Sequence, residues 1–144
     1  MQETANELKH IVAGSRWLGE IDEAAASARP AEGKWSRKEI LGHLIDSAAN
    51  NHQRFVRLQL QPELTFPKYD QQTWVPVQRY QERSWGELVE LWRAYNRHLA
   101  HVIATLDPAA LGHVWKAPDG DHDLAFLARD YLRHLRHHLE QLAP

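Results

Sequence analysis

Cysteine is absent from this chain of 144 residues, and its absence excludes several kinds of site at once. Without thiols there is no disulfide, no thiolate metal ligand and no cysteine nucleophile, and a reducing compartment is mildly favoured. Residues 1–10 lack the basic start and apolar run of a secretory signal peptide. No stretch approaches the ~18 consecutive apolar residues of a transmembrane helix. We therefore expect a cytoplasmic protein that has no membrane partner.

An excess of positive charge is also lacking. The formal net charge is -2, and the lysines and arginines are scattered along the chain. Proteins that bind nucleic acids usually concentrate basic residues on one surface. The charge distribution therefore argues against a nucleic-acid partner and leaves a small-molecule substrate as the expected partner.

The chain has an ordinary globular composition, with 43% hydrophobic residues, and its length is typical of one domain spanning residues 1–144. Its unusual features are ten histidines and six tryptophans. Histidine is a common metal ligand and a common proton carrier near neutral pH. The positions of the histidines therefore carry most of the functional information.

Hydrophobic periodicity predicts four helices. The first covers about residues 4–28 and ends before Pro30, because the residue before a proline is pushed out of the helical region. The second helix has the clearest start, since Ser36 and Glu39 have the spacing of a capping box. It is predicted to run from about residue 37 to 60.

A long connection over residues 61–83 separates the second helix from the third, and loops of this length in a small domain are often functional. It could hold a short helix near residues 71–75. The third helix begins after Ser84, and the fourth begins after Asp121 or Asp123 and runs to about Leu142. Four amphipathic helices in one chain predict an all-α fold, a four-helix bundle.

The fourth helix places two histidines where its apolar stripe should face the core. That stripe consists of Leu124, Leu127, Tyr131, His134, His138 and Leu142. The two histidines are four residues apart, so their Cβ atoms lie about 5–6 Å from each other, a separation at which two imidazoles can share a metal ion. His43, on the inward half of the second helix, is the candidate third ligand. Three neutral histidines with an open position form a catalytic arrangement for zinc-like ions.

Other readings of these histidines remain open. His43 by itself is more often a structural residue than a ligand, and His137 points about 100° away from His138 on the helix. His137 could therefore be a surface residue, a residue that hydrogen-bonds to a ligand and orients it, or a substitute for His138 as ligand. His98 and His101 form a weaker alternative pair.

Several residues near these histidines are candidates for catalysis or substrate binding. Asp46 is three residues after His43 and could orient a ligand histidine or act as a general base, although it could equally be an exposed carboxylate. The inward face of the second helix continues through Asn50 or Asn51 to Arg54, and the candidate substrate pocket consists of Asn50, Arg54, Tyr69, Asp70 and Trp74. The competing interpretation is loop packing for Tyr69, Asp70 and Trp74, and a surface ion pair for Arg54.

Four segments of the sequence resemble the DinB-like superfamily, in particular its YfiT-type metal-dependent hydrolases. They are Trp35–Ser47, Arg54–Phe55, Pro67–Trp74 and His134–His138. The resemblance implies an up-down-down-up four-helix bundle with a long crossover between helices two and three. It also implies one divalent metal ion, zinc or nickel, held by His43, His134 and His138, and a homodimer.

The leading functional hypothesis is a metal-dependent enzyme of hydrolase type that acts on a small molecule through an activated water. The first alternative, suggested by the resemblance, is a metal-dependent thiol S-transferase that uses a low-molecular-weight thiol. The second is a non-catalytic, metal-stabilised binding module. A role on damaged DNA, which the family name suggests, conflicts with the charge balance.

Overall fold

The computed structural model describes residues 1–143. Six α-helices and three strands follow one another along the chain: α1 (Gln2–Gly14), α2 (Glu23–Ser27), α3 (Arg37–Leu60), β1 (Glu63–Thr65), α4 (Gln71–Val77), α5 (Trp85–Ala104), β2 (Val114–Ala117), β3 (Gly120–Asp123) and α6 (Leu124–Leu142). Short 3-10 turns lie at residues 15–20, 80–82 and 108–110. No helix in this part of the chain is long and apolar enough to cross a bilayer.

The four long helices form the bundle, in which α1 and α3 each pack against both α5 and α6. Hydrogen bonds between their ends fix the directions of α3 and α5. The Lys38 side chain, at the start of α3, donates to the Gln81 carbonyl just before α5. At the other end, the Gln59 amide oxygen accepts from the Asp107 N–H just after α5. The helices α3 and α5 are therefore parallel.

The remaining two helices run the opposite way. Arg37 at the start of α3 donates to the Leu142 carbonyl at the end of α6, so these helices are antiparallel. The Trp85 indole at the start of α5 donates to the Leu18 carbonyl just beyond the end of α1, so these two are antiparallel as well. The predicted up-down-down-up order is confirmed, and it places residues early in α3 beside residues late in α6.

The starts of α3 and α6 follow the predicted capping chemistry. Ser36 Oγ accepts from the Glu39 N–H at 3.2 Å, and Glu39 Oε2 accepts from the Ser36 N–H at 2.8 Å. At α6 the cap is Asp123, whose carboxylate accepts from the Phe126 N–H at 2.6 Å, and not Asp121. Both caps pair amide groups that an isolated helix start leaves free.

The prediction of one helix over residues 4–28 is wrong. The α-helix α1 ends at Gly14, a 3-10 turn follows, and α2 begins after Asp22. Two glycines, Gly14 and Gly19, weaken the helix, and the Asp22 carboxylate accepts from the Ala25 N–H at 2.7 Å and so caps a new one.

A small sheet joins the crossover to the segment before α6; the all-α prediction did not include a sheet, although residues 113–116 were expected to be extended. Strand β1 pairs parallel with β2, with Leu64 opposite Trp115, and β2 pairs antiparallel with β3, with Lys116 opposite Asp121. The Trp115 indole also donates to the Phe66 carbonyl at 2.8 Å. These contacts hold the crossover over the face of α3 that carries His43. The crossover also contains the predicted short helix, as α4.

Candidate metal centre

Three histidines from two helices converge between α3 and α6. His43 lies about two turns into α3, and His134 and His138 lie near the end of α6. Each offers one ring nitrogen within 4.8 Å of the others. The ring centroids are 5.0, 4.7 and 4.6 Å apart, which makes a nearly equilateral triangle. The antiparallel packing of α3 and α6 brings the three residues to the same level of the bundle.

On the two histidines of α6, the Nδ1 atom of each ring has a polar neighbour. Gln141 Oε1 lies 2.9 Å from Nδ1 of His138, and Ser47 Oγ lies 3.4 Å from Nδ1 of His134. An acceptor such as Gln141 Oε1 fixes the proton on Nδ1 and leaves Nε2 as a ligand atom. The Nε2 atoms of His43 and His134 are 3.1 Å apart. Two nitrogens bound tetrahedrally at the usual zinc distance are about 3.3 Å apart, so this spacing fits a divalent ion.

The electrostatic environment keeps the imidazoles neutral, as metal ligands must be. Burial, together with the neighbouring His134 and His138, lowers the pKa of His43 to about 3. Burial and His138 lower the pKa of His134 to about 4, and burial also lowers the pKa of His138. His43 is fully buried, and its Nδ1 has no hydrogen-bond partner within residues 1–143. At neutral pH the centre therefore presents unprotonated nitrogens.

Beside the histidines opens a cleft of about 390 Å³, bounded by α3, the crossover, the small sheet and α6. From α3 it is lined by His43, Ser47, Asn51 and Arg54; from the crossover by Lys68, Tyr69 and Gln71; from the sheet region by Trp115, Asp119 and His122; and from α6 by Phe126, Leu127, Asp130, Tyr131, Arg133 and His134. Most of these residues carry polar groups. The cleft is large enough for a small organic molecule and reaches the metal-ligand candidates.

A model of the DinB superfamily matches residues 14–142. The chain belongs to the DinB superfamily. The match covers nearly the whole chain and includes all three histidines of the candidate centre, which confirms the family that the sequence motifs resembled.

Among solved structures, this DinB-superfamily chain is similar to YfiT from Bacillus subtilis, described as a probable metal-dependent hydrolase with an unusual four-helix bundle topology. The TM-score is 0.86, the sequence identity is 17%, and the match covers 97% of this chain and 82% of that one. At this identity the likeness shows the fold alone. No curated protein sequence matches the chain.

Two of the five pocket residues predicted for this DinB-superfamily chain line the cleft, and three do not. Arg54 and Tyr69 are among the lining residues. Asn50 is buried, and its amide donates to the Asp46 carbonyl, while Asn51 lines the cleft in its place. Asp70 caps α4 by accepting from the Gln72 N–H. The Trp74 ring lies behind Tyr69, with ring centroids 5.0 Å apart.

Asp46 does not orient a histidine, because its hydrogen bonds are made elsewhere. Its Oδ1 accepts from the Tyr80 hydroxyl and from the Gln78 amide, both at 2.7 Å. It is not an exposed carboxylate either, since the residue is 3% exposed and Oδ2 has no partner within residues 1–143. Burial raises the pKa of this carboxyl. The residue fastens the crossover to α3 behind the candidate centre.

His137 lies on the exposed side of α6, and its ring nitrogen Nε2 is 3.2 Å from the amide nitrogen of Gln141. It is thus outside the triangle, as its helical angle suggested. Sequence reasoning missed Gln141, the partner of His138, and Trp115, which lines the cleft. Gln141 could have been found from its spacing, because it is three residues after His138 on the same helix. Trp115 could not, because only the pairing of the strands brings it to the cleft.

Proposed function

We propose that this chain is a metal-dependent enzyme of hydrolase type that acts on a small molecule at His43, His134 and His138. The observation that carries the proposal is the convergence of three neutral imidazoles from two helices at one point beside a cleft. A divalent ion held by three histidines with an open position lowers the pKa of a bound water and so supplies a nucleophile at neutral pH. The description of the similar structure as a probable metal-dependent hydrolase supports this reading.

The protein's own residues would hold the ligands in place. Gln141 keeps the His138 proton on Nδ1, and Ser47 lies at Nδ1 of His134, so that both Nε2 atoms face the open point. Residues that fix ligand tautomers in this way commonly raise metal affinity by about 10–100-fold. The Trp35 and Tyr69 rings lie 5.5 and 6.3 Å from the His43 ring and restrict its movement.

Tyr69 lines the cleft near His43, and we expect its hydroxyl to bind an oxygen of the substrate. Burial, together with the Asp46 carboxylate, raises the pKa of its hydroxyl to about 12. A tyrosine hydroxyl is protonated at neutral pH even without this shift, so it can donate a hydrogen bond to a carbonyl or phosphoryl oxygen. Such a donor stabilises charge that develops on that oxygen in the transition state.

Metal content of purified variants tests the centre itself. We expect about one zinc or nickel ion per wild-type chain by elemental analysis, and clear loss of the ion in His43→Ala, His134→Ala and His138→Ala. His137→Ala is the matched control, because His137 is adjacent in sequence but outside the triangle. Full metal content in the three variants would overturn the three-histidine model.

Activity with and without metal then tests the reaction class. Esters, amides and pairs of a thiol with an electrophile are assayed with the chelated protein and again after addition of zinc or nickel. Metal-dependent hydrolysis supports the proposal, and turnover only with a thiol present would replace it by S-transfer. If the metal-loaded protein turns over no substrate of either type, a binding module becomes the better description.

A further inference from the structure

Arg54 is a buried cation whose hydrogen-bond donors are mostly unused. The residue is 7% exposed, and its guanidinium carbon lies 3.8 Å from the centroid of the Trp115 ring. Nη1 makes one long hydrogen bond, of 3.4 Å, to Asn51 Oδ1, and the buried Nε has no partner. None of the ion pairs found within residues 1–143 includes Arg54.

An isolated buried charge is unfavourable unless something compensates it. Stacking on Trp115 compensates in part, since an aromatic face attracts a cation. The lysine and the other arginine that line the cleft have carboxylate partners: Lys68 pairs with Asp119, and Arg133 pairs with Asp130. Arg54 is thus the cleft cation for which the described chain supplies no carboxylate.

The position of Arg54 relates it to the candidate metal centre. His43, Ser47, Asn51 and Arg54 are spaced by four, four and three residues, so they form one continuous face of α3, and all four line the cleft. From His43 to Arg54 the helix rises about 16 Å. Long helical side chains lean back toward the N-terminus, which brings the guanidinium closer to the histidines than that rise.

We infer that Arg54, stacked on Trp115, is the anion-binding site of this cleft and that the substrate is a small molecule bearing a carboxylate or phosphate group. The guanidinium offers paired N–H groups that match either anion in a bidentate arrangement. The anionic group lies against Arg54 while the reacting group lies at the histidines. The location of that reacting group, though not the anion site, rests on the proposed function.

The test uses metal-free protein, so that anions cannot bind to a metal ion. Inorganic phosphate and propionate are titrated separately, with propionamide as the neutral counterpart, while ¹⁵N NMR follows the Arg54 Nε–H and the Trp115 indole N–H. We expect saturable shifts of both signals with at least one anion and none with propionamide. The two anions distinguish a phosphate site from a carboxylate site.

Two substitutions and a matched control assign the effect to Arg54. Arg54→Met and Arg54→Gln remove the charge but keep most of the side-chain length, and each is expected to bind the anion at least about tenfold more weakly. Arg57→Met removes one charge from the next turn of α3, where Arg57 donates to Gln53 outside the cleft, and should bind like wild type. Amide spectra establish that each variant is folded.

Absence of saturable shifts in the wild type would overturn the inference, and so would unchanged anion affinity in the folded Arg54 variants. If neither variant folds, the presence or absence of a saturable shift of the Arg54 Nε–H signal in the wild type still tests whether an anion binds there. Failure of the proposed function is a separate outcome, seen as absence of metal or of turnover while the anion titration succeeds. If metal-loaded enzyme hydrolyses esters, Arg54→Met should raise KM for an acid-bearing ester by a larger factor than it raises KM for the neutral methyl ester of the same acid.

Discussion

Gly42 lies directly before the histidine that α3 contributes, and the Tyr80 ring occupies the space that a side chain there would need. A Cβ atom added to Gly42 would lie 2.2 Å from the nearest ring carbon. Tyr80 cannot easily move, because it is 7% exposed and its hydroxyl donates to Asp46. The absence of a side chain at this position therefore allows the crossover to pack closely beside the metal-ligand candidates.

Gly42→Ala is predicted to lower the free energy of unfolding by about 1–3 kcal/mol, the usual cost of overpacking a buried contact. Urea denaturation of the metal-free protein measures the change. Gly14→Ala is the control: it lies at the end of α1 with nothing within 4 Å of the added Cβ, so it should be neutral or slightly stabilising. Equal stability of wild type and Gly42→Ala would contradict the close packing.

At the residue scale, sequence periodicity predicted a face of the helix but not each member of that face. It brought His43, His134 and His138 together and placed Arg54 near them. It did not separate Asn50 from Asn51, and the predicted pocket named Asn50 where Asn51 lines the cleft. Neighbouring helical residues differ by 100° in direction, so an error of one position moves a side chain from the cleft to the core. The burial of Arg54 without an ion pair could not be predicted, because it depends on Trp115 from a distant strand.

At the scale of elements, the two α-helices that carry the histidines begin at polar caps. The cap of α6 is Asp123, whose carboxylate accepts from the Phe126 N–H, while the nearby Asp121 pairs with Lys116 on the sheet. A helix without its N-terminal cap frays from that end, where Leu124 and Leu127 are buried. The cap therefore supports the part of α6 that forms the far wall of the cleft.

Asp123→Ala is predicted to cost about 1 kcal/mol of unfolding free energy, as loss of an aspartate cap usually does. Asp121→Ala removes the same charge two residues earlier and breaks only an exposed ion pair, so it should cost at most about 0.5 kcal/mol. Thermal or urea unfolding of both variants under one buffer compares them. A larger loss in Asp121→Ala would mean that the cap lies elsewhere.

The longest helices were predicted from sequence more completely than the short elements, although the short helix α4 was also expected. The 24 residues of α3 carry a capping box and six turns of periodic signal, so its bounds were predicted correctly. The strands are only three or four residues long, which is too short for an alternating pattern of apolar and polar residues to be recognised. They are also held by pairing between residues that are distant in sequence. The break in the first helix depends on the balance between the weakening by Gly14 and Gly19 and the new cap at Asp22. Helix propensity alone does not predict which of these effects is large enough to end the helix.

At the scale of the whole molecule, the arrangement of the chain creates the site. The parallel pair α3 and α5 requires a long crossover, and β1 and β2 fasten that crossover over the His43 face of α3. The up-down-down-up order came from the resemblance to a family, since periodicity carries no information on helix direction. The same order makes α3 antiparallel to α6, without which His43 would lie far from His134 and His138.

Because the candidate ligands come from two helices distant in sequence, a bound ion would link α3 to α6 and stabilise the fold as a whole. A ligand that binds only the folded state adds about 2.7 kcal/mol to the unfolding free energy at a free concentration 100 times its Kd. We therefore predict that zinc or nickel raises the thermal midpoint of the wild type and that a chelator reverses the increase. In His138→Ala the increase should be lost or greatly reduced.

His98→Ala is the control for that experiment, because the His98 ring on α5 lies against the His52 ring on α3, with ring centroids 5.1 Å apart, and not in the triangle of candidate ligands. It should keep the full metal-dependent increase. If His98→Ala lost the increase while His138→Ala kept it, the stabilising ion would lie between α3 and α5, and the triangle of His43, His134 and His138 would need another explanation. A linkage between α3 and α6 also predicts that the metal slows hydrogen exchange in both helices together, since neither can unfold locally without losing a ligand.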